Sequence, residues 1–295
     1  MASEKQSVVD KTPITRRELF RLAGGGAIFA AAALAGCRTD SMKPELEGVM
    51  AENSPQIKDS TAYRQGQLLK RTSLPTKEPA TPGLHSLPLG NKREAFLYVP
   101  KGYKRDKPAP FVLLLHGAGG NAGHGIGLLR HLADDAGLII ASPKSLTATW
   151  DVIASDYGPD VEYIDRVLEY VIGRYVVDRS RLAVGGFSDG ASYALSLGVI
   201  NGDLFTHVIA FSPGFMVPTR QTGRPRIYVS HGTGDRVLPI DRCSRRLVPQ
   251  LKRADYDVLY REFEGPHTIP PEVARESVQW FIEPRRPNSH QEPAF

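Results

Sequence analysis

The chain has 295 residues, 41% of them hydrophobic, and a net charge of +5. That length supports one large core or two small ones, and the composition excludes collagen-like, disulfide-rich and wholly disordered classes. The basic clusters "DRCSRRL" (241–247) and "EPRRP" (283–287) read as a solvated helix face and a polar tail. No nucleic-acid-binding motif accompanies them, so no nucleic-acid partner is expected.

The N-terminal stretch "TRRELFRLAGGGAIFAAAALAGC" (15–37) has a basic start and an apolar run from Leu22 to Gly36. A membrane-spanning helix needs ~20 apolar residues, so the shorter run fits a cleaved signal peptide better. The pair Arg16-Arg17, followed by Leu19-Phe20, resembles a bacterial twin-arginine export signal. "LAGC" (34–37) resembles the lipobox of bacterial lipoproteins. The expectation is a signal peptide over 1–36, a lipid on Cys37, and an exported bacterial protein held at a membrane, periplasmic or at the cell surface. A plain signal cut after Ala35, or a retained anchor, are the alternatives. Residues 37–82 are polar, with Pro75, Pro79 and Pro82 close together, and are expected to form a flexible tether. A folded domain is expected over 83–284 and a polar tail over 285–295.

Strand and helix signals alternate from residue 83 onward. "LHSLPLGNKREAFLYVP" (84–100) reads as a hairpin turning near Gly90-Asn91. "PFVLLLHG" (110–117) is a continuous apolar run, as in a strand buried on both faces. "GLIIASP" (137–143), "RLAVGGF" (181–187), "THVIAFSP" (206–213) and "RIYVSHG" (226–232) share that character. "VLYREFEG" (258–265) alternates more, as a strand nearer an edge does. Between the strands, residues 160–175 place Val161, Ile164, Val167, Leu168 and Val171 on one helical face. Residues 271–281 place Ala274, Val278 and Phe281 likewise. This predicts an α/β fold with a mostly parallel central sheet flanked by helices, whose sites form at the carboxyl ends of the strands.

Ser188 lies in "VGGFSDGAS" (184–192), between a strand signal and a helix signal. The G-x-S-x-G pattern alone is cheap, with about 0.2 chance matches in a chain of this composition. Its position on a strand-to-helix turn is the stronger signal, because that turn lifts the hydroxyl above the end of the sheet. A serine hydroxyl needs a base to become nucleophilic, and the base needs an acid to orient it. Asp235 follows the strand "RIYVS", and His267 follows "VLYREFEG". Asp241 lies six residues farther on, in a predicted helix, and Asp189 adjoins the serine, so its side chain is expected to point elsewhere. His116 and His231 read as turn histidines bonded to backbone, and His124 and His131 come too early in the chain. "LLLHGAGGNAGHG" (113–125) offers a glycine-rich loop whose Ala118 N–H, with that of Asp189, forms an expected oxyanion hole. The loop lacks the Lys-Ser/Thr of a nucleotide-binding P-loop.

"LLLHGAGG", "GFSDG", "HGTGDRVLP" and "GPHTIPPEV" together resemble the α/β-hydrolase superfamily. They are most similar to its phospholipase/carboxylesterase group and to the polyhydroxybutyrate-depolymerase-like and feruloyl-esterase-like secreted esterases. The resemblance covers about residues 83–283. It implies an α/β-hydrolase fold and a serine esterase with Ser188 as nucleophile, His267 as base and Asp235 as acid. Ala118 and Asp189 would be its oxyanion donors. Pro266, directly before His267, departs from the pattern of many relatives. Only a dozen residues, 214–225, occupy the place where larger lipases insert a cap, so no sizeable cap or lid is expected. The open site would take a small or polymeric ester, with Trp150 and Phe215 as candidate substrate-binding residues. No His/Asp/Cys set has ligand spacing, so neither metal nor cofactor is expected. A serine peptidase or amidase on the same fold, and a non-catalytic surface-anchored binding module, are the alternative functions.

Overall fold

The computed structural model describes residues 60–70, 74–90 and 93–283. The expected signal peptide, Cys37 and the 285–295 tail lie outside the described residues. The compact unit containing the described residues begins at Ser60.

Eight strands form one sheet: β1 (Gly83–Ser86), β2 (Ala95–Val99), β3 (Ala109–Leu115), β4 (Ile139–Pro143), β5 (Val177–Phe187), β6 (His207–Phe211), β7 (Arg226–Gly232) and β8 (Val258–Phe263). Their order across the sheet is β1-β2-β4-β3-β5-β6-β7-β8. The β1–β2 and β2–β4 pairs are antiparallel, and every pairing from β4 across to β8 is parallel. β3, β4 and β6 are buried along their whole length, which explains their unbroken apolar sequences: both faces are covered. β8 sits at the sheet edge and alternates between half-buried and exposed residues, as its sequence predicts.

The period of two along each strand divides the core between the two faces. Phe111, Leu113 and Leu115 of β3 share one cluster with Val184 of β5 and Val208 of β6. Helices α5 (Pro159–Ile172), α6 (Asp189–Ile200) and α7 (Ser244–Arg253) pack on that face. Val112 and Leu114 point the other way, toward α2 (Ala122–Gly127), α3 (Ala133–Ala136) and α8 (Pro271–Ile282). The predicted stripe of α5 (Val161, Ile164, Val167, Leu168 and Val171) is fully buried. Helix α6 differs, because every residue from Gly190 to Ile200 is buried. The 214–225 connection holds no helix or strand, only a bridge from Gly202 to Gly223.

The expected tether through residue 82 is corrected over its last part. Residues 60–70, which include the short helix α1 (Ser60–Tyr63), form a strap docked on the domain. Asn201, just after α6, accepts from Leu68 N–H at 2.9 Å and donates to the Gly66 carbonyl at 2.8 Å. Asp165 of α5 accepts from Leu69 N–H and from the Tyr63 hydroxyl. Farther along, Ala80 N–H donates to the Tyr175 hydroxyl at 3.0 Å. Composition reads polar here because the segment is held by hydrogen bonds and one buried anchor, Leu68, rather than by an apolar stripe.

Candidate active site

The turn from β5 into α6 puts Ser188 at φ 58°, ψ −121°, a conformation that costs a non-glycine residue about 1–3 kcal/mol. Contact geometry enforces it. A Cβ on Gly186 would lie 2.5 Å from the Gly190 carbonyl carbon and 2.6 Å from the Leu115 carbonyl oxygen. A Cβ on Gly190 would fall inside contact distance of the Leu115 and His116 carbonyl oxygens. Both glycines of the motif are therefore required by close approach of α6 to β3. Ser188 N–H is fixed by the Phe211 carbonyl at 2.9 Å.

His267, on the loop from β8 to α8, meets this serine. The Ser188 hydroxyl donates to His267 Nε2 at 2.9 Å, and His267 Nδ1–H donates to Asp235 Oδ2 at 2.6 Å. The other oxygen, Asp235 Oδ1, accepts from the Val237 and Leu238 N–H groups at 2.9 and 2.8 Å. Ser188 and Asp235 are buried, and His267 is half-buried. The Phe187 ring packs against the imidazole with centroids 4.6 Å apart. Pro266 leaves both hydrogen bonds of His267 intact.

The β3–α2 loop lies alongside the serine: a Cβ on Gly117 would sit 3.3 Å from Ser188 Cβ. Ala118 is exposed in this loop. Among the described residues, the main-chain N–H groups of Ala118 and Asp189 have no hydrogen-bond acceptor, so both donors remain open to a ligand. The flanking atoms are cross-linked. Gly119 N–H donates to the Ala148 carbonyl at 2.6 Å, and the Thr149 hydroxyl donates to Asp189 Oδ2 at 2.6 Å. The Asp189 side chain thus ties the loop between β4 and the short helix α4 (Asp151–Ala154) to the serine turn.

Trp150 is corrected from a candidate substrate residue to a brace. It is fully buried, its Nε1–H donates to the His116 carbonyl at 2.9 Å, and its ring stacks on Tyr193 of α6 at 5.2 Å. His116 bonds to backbone, with Nδ1–H donating to the Gly117 carbonyl and Nε2 accepting from Ser145 N–H. Burial holds its pKa below the ordinary histidine value. Phe215 remains half-buried on the 214–225 connection. Its neighbour Gly214 donates to Ser192 Oγ at 2.9 Å and approaches Leu238, which follows Asp235 by three residues.

A buried carboxylate pair beneath this region has no counterpart in the sequence reading. Asp151 accepts from the Gly158, Asp160 and Val152 N–H groups and from the Tyr193 hydroxyl. Asp160 accepts from the Leu146 and Asp151 N–H groups and pairs with Arg93. Burial, then the Asp160 charge, raises the Asp151 pKa. The pair fixes the segment 144–160, whose first part is the loop that carries Ala148 and Thr149. Among the described residues, no group of three or more His, Cys, Asp or Glu could hold a metal ion.

Solved structures share this architecture. The S-formylglutathione hydrolase of Staphylococcus aureus aligns at TM-score 0.55 and 14% identity, over 70% of this chain and all of that one. A CE1 ferulic acid esterase from Anaeromyces mucronatus aligns at TM-score 0.51 and 20% identity, over 75% of this chain and 94% of that one. The chain has the α/β-hydrolase fold. Within that fold its similarity is to esterases. The family model "Esterase" matches residues 86–222 of this chain. Feruloyl esterase C of Emericella nidulans is 32% identical over 161 residues, covering 51% of this chain and 58% of the fungal protein. The matched part thus spans less than two thirds of that relative.

Proposed function

We propose that this α/β-hydrolase cleaves carboxylic esters through an acyl-enzyme on Ser188. The observation that carries the reading is the continuous hydrogen-bonded array Ser188–His267–Asp235, drawn from the carboxyl ends of β5, β8 and β7. His267 Nε2 takes the serine proton as Oγ attacks the ester carbonyl, and Asp235 steadies the imidazolium through Nδ1–H. The Ala118 and Asp189 N–H groups receive the developing oxyanion. The tetrahedral intermediate collapses, the alkoxide leaves with the proton from His267, and water repeats the sequence to release the acid. Similarity to proteins named feruloyl esterase and ferulic acid esterase makes hydroxycinnamate esters the first substrates to try, with Phe215 as the candidate residue to contact them. Ser188→Ala is the test: activity on p-nitrophenyl acetate and methyl ferulate is expected to vanish, and activity retained in the variant refutes the mechanism. Preference for anilide over ester analogues would move the reading to an amidase.

We also propose that residues 1–36 direct export and that Cys37 carries a lipid, placing the enzyme at a bacterial membrane facing the periplasm or the cell exterior. Arg16-Arg17, the short apolar run and "LAGC" support this reading. Cys37→Ser is expected to release the protein from membrane pellets, and unchanged sedimentation refutes lipidation.

A further inference from the structure

The Asp235 carboxylate has a neighbour that the catalytic array does not use. His231, the penultimate residue of β7, is fully buried, and its Nε2 lies 2.7 Å from the Leu238 carbonyl and 3.2 Å from Asp235 Oδ2. On the other side of the ring, Nδ1 lies 2.7 Å from Ser244 Oγ, at the start of α7 and also fully buried. A carbonyl oxygen only accepts, so Nε2 must carry the proton. The Nδ1 lone pair then accepts from the Ser244 hydroxyl. Burial holds the ring below its ordinary pKa, so His231 presents a neutral N–H edge to the carboxylate.

We propose that His231, with its tautomer set by Ser244, is a positioning residue for the proposed catalytic acid. Its Nε2–H bridges the Leu238 carbonyl and Asp235 Oδ2, and so holds the oxygen that receives His267 Nδ1–H. The inference rests on the serine-esterase reading above. Val237 and Leu238 N–H groups fix Oδ1, but among the described residues only His267 and His231 face Oδ2. Without His231, the carboxylate can rotate about the axis set by Oδ1, and the Leu238 carbonyl that anchors the acid loop loses its donor. Being neutral, His231 orients Oδ2 without cancelling the charge that His267 requires. The titratable groups around this pair are His267 from the β8–α8 loop, Glu262 on β8 and Cys243 just before α7. Arg245 of α7 is occupied by Glu262 and Asp241, and Arg242 and Arg246 act on Cys243 from a distance.

Two amides separate positioning from mere packing. In His231→Gln the amide nitrogen falls near the Nε2 position, whereas in His231→Asn it falls near Nδ1 and cannot reach Oδ2. Asn is expected to lower kcat on p-nitrophenyl acetate about tenfold, the scale of one net hydrogen bond, with KM unchanged. It should also move the acid limb of kcat/KM to higher pH, because uncompensated negative charge on Oδ2 then faces the imidazolium. Gln is expected to restore kcat to within about threefold of wild type and to return the acid limb to its place. Should the Asn variant fail to fold, Ser244→Ala reads the same effect by deleting the hydroxyl that sets the tautomer, with a smaller shift in the same direction. Equal kcat and unshifted pH profiles in all folded variants overturn the proposal. An inactive wild type, or an active Ser188→Ala, instead refutes the esterase reading and is told apart by those two measurements alone.

Discussion

Replacing Gly190 with alanine tests whether the approach of α6 to β3 sets the position of the nucleophile. The new methyl would face the Leu115 carbonyl oxygen and carbon and, at 2.5 Å, the His116 carbonyl oxygen. These are main-chain atoms at the end of a central strand, so they cannot swing away as a flexible side chain would. Ordinary contact begins near ~3.4 Å, and the Leu115 carbonyl oxygen is nearer still than that of His116, so α6 must retreat by more than about 0.9 Å. Ser188 immediately precedes that helix, and the 2.9 Å bond to His267 would stretch beyond hydrogen-bond range. Overpacking of this kind costs about 3 kcal/mol, or roughly 6–12 °C in Tm for a domain of this size. A misplacement of about 1 Å in the reacting group lowers kcat by about 100-fold. Gly127→Ala is the control, since its methyl meets nothing within 4 Å and a helical alanine gains up to about 1 kcal/mol. Thermal melts and initial rates on p-nitrophenyl acetate at 25 °C read both quantities. A Gly190→Ala protein with wild-type Tm and kcat would show that the turn tolerates the methyl and would refute the reasoning.

Trp150→Phe keeps the ring but leaves the His116 carbonyl without its donor, so it should destabilise the fold by about 1–3 kcal/mol while KM for any ester stays fixed; a raised KM at unchanged Tm would restore Trp150 as a substrate contact. Asn201→Ala removes the side chain that holds Gly66 and Leu68, and limited proteolysis is expected to cut within 60–70 in the variant while kcat holds. His116 and His231 are both pushed below the ordinary histidine pKa by burial. The unfolded chain then binds more protons than the folded one as pH falls through the ordinary histidine value of ~6.5, so stability is full above that value and declines as pH falls toward the folded-state values. Urea midpoints measured from pH 8 to pH 5 should decline on the acid side, and His231→Gln should flatten part of that slope.

The strand positions and the candidate triad were legible because their signals are local, whereas the order of strands across the sheet was not. Each of Ser188, Asp235 and His267 follows a strand signal within a few residues, an apolar run for the first two and an alternating segment for His267, and such a signal fixes a strand and hence its carboxyl end. What escaped depends on contacts far apart in the chain. Asp151 and Asp160 look like ordinary acidic residues until Arg93 and Tyr193 close around them. His231 reads as a turn histidine bonded to backbone, and one of its bonds is to a carbonyl. Nothing in the spacing discloses Ser244 on the next helix. Trp150 shows the opposite failure: an aromatic residue past a strand end suits a cleft or a core equally well, and the choice fell to a carbonyl, that of His116, 34 residues earlier. The strap over 60–70 was hidden by its polar composition, since side-chain amides and carboxylates dock it.

The burial of α6 on every side has a consequence for how such a protein diversifies. Surface helices can absorb substitutions on their outer face, but residues 190–200 have no outer face, and Gly190 and Gly198 are both hemmed in by strand atoms. The element that aims the proposed nucleophile is thus the one least free to drift. The 214–225 connection has no helix or strand and leaves Phe215, Met216 and Val217 only half-buried, with Met216 and Val217 packed against the edge of the core. Variation, natural or by library design, can accumulate in that connection and alter which esters are admitted, while the hydroxyl they approach stays where it is.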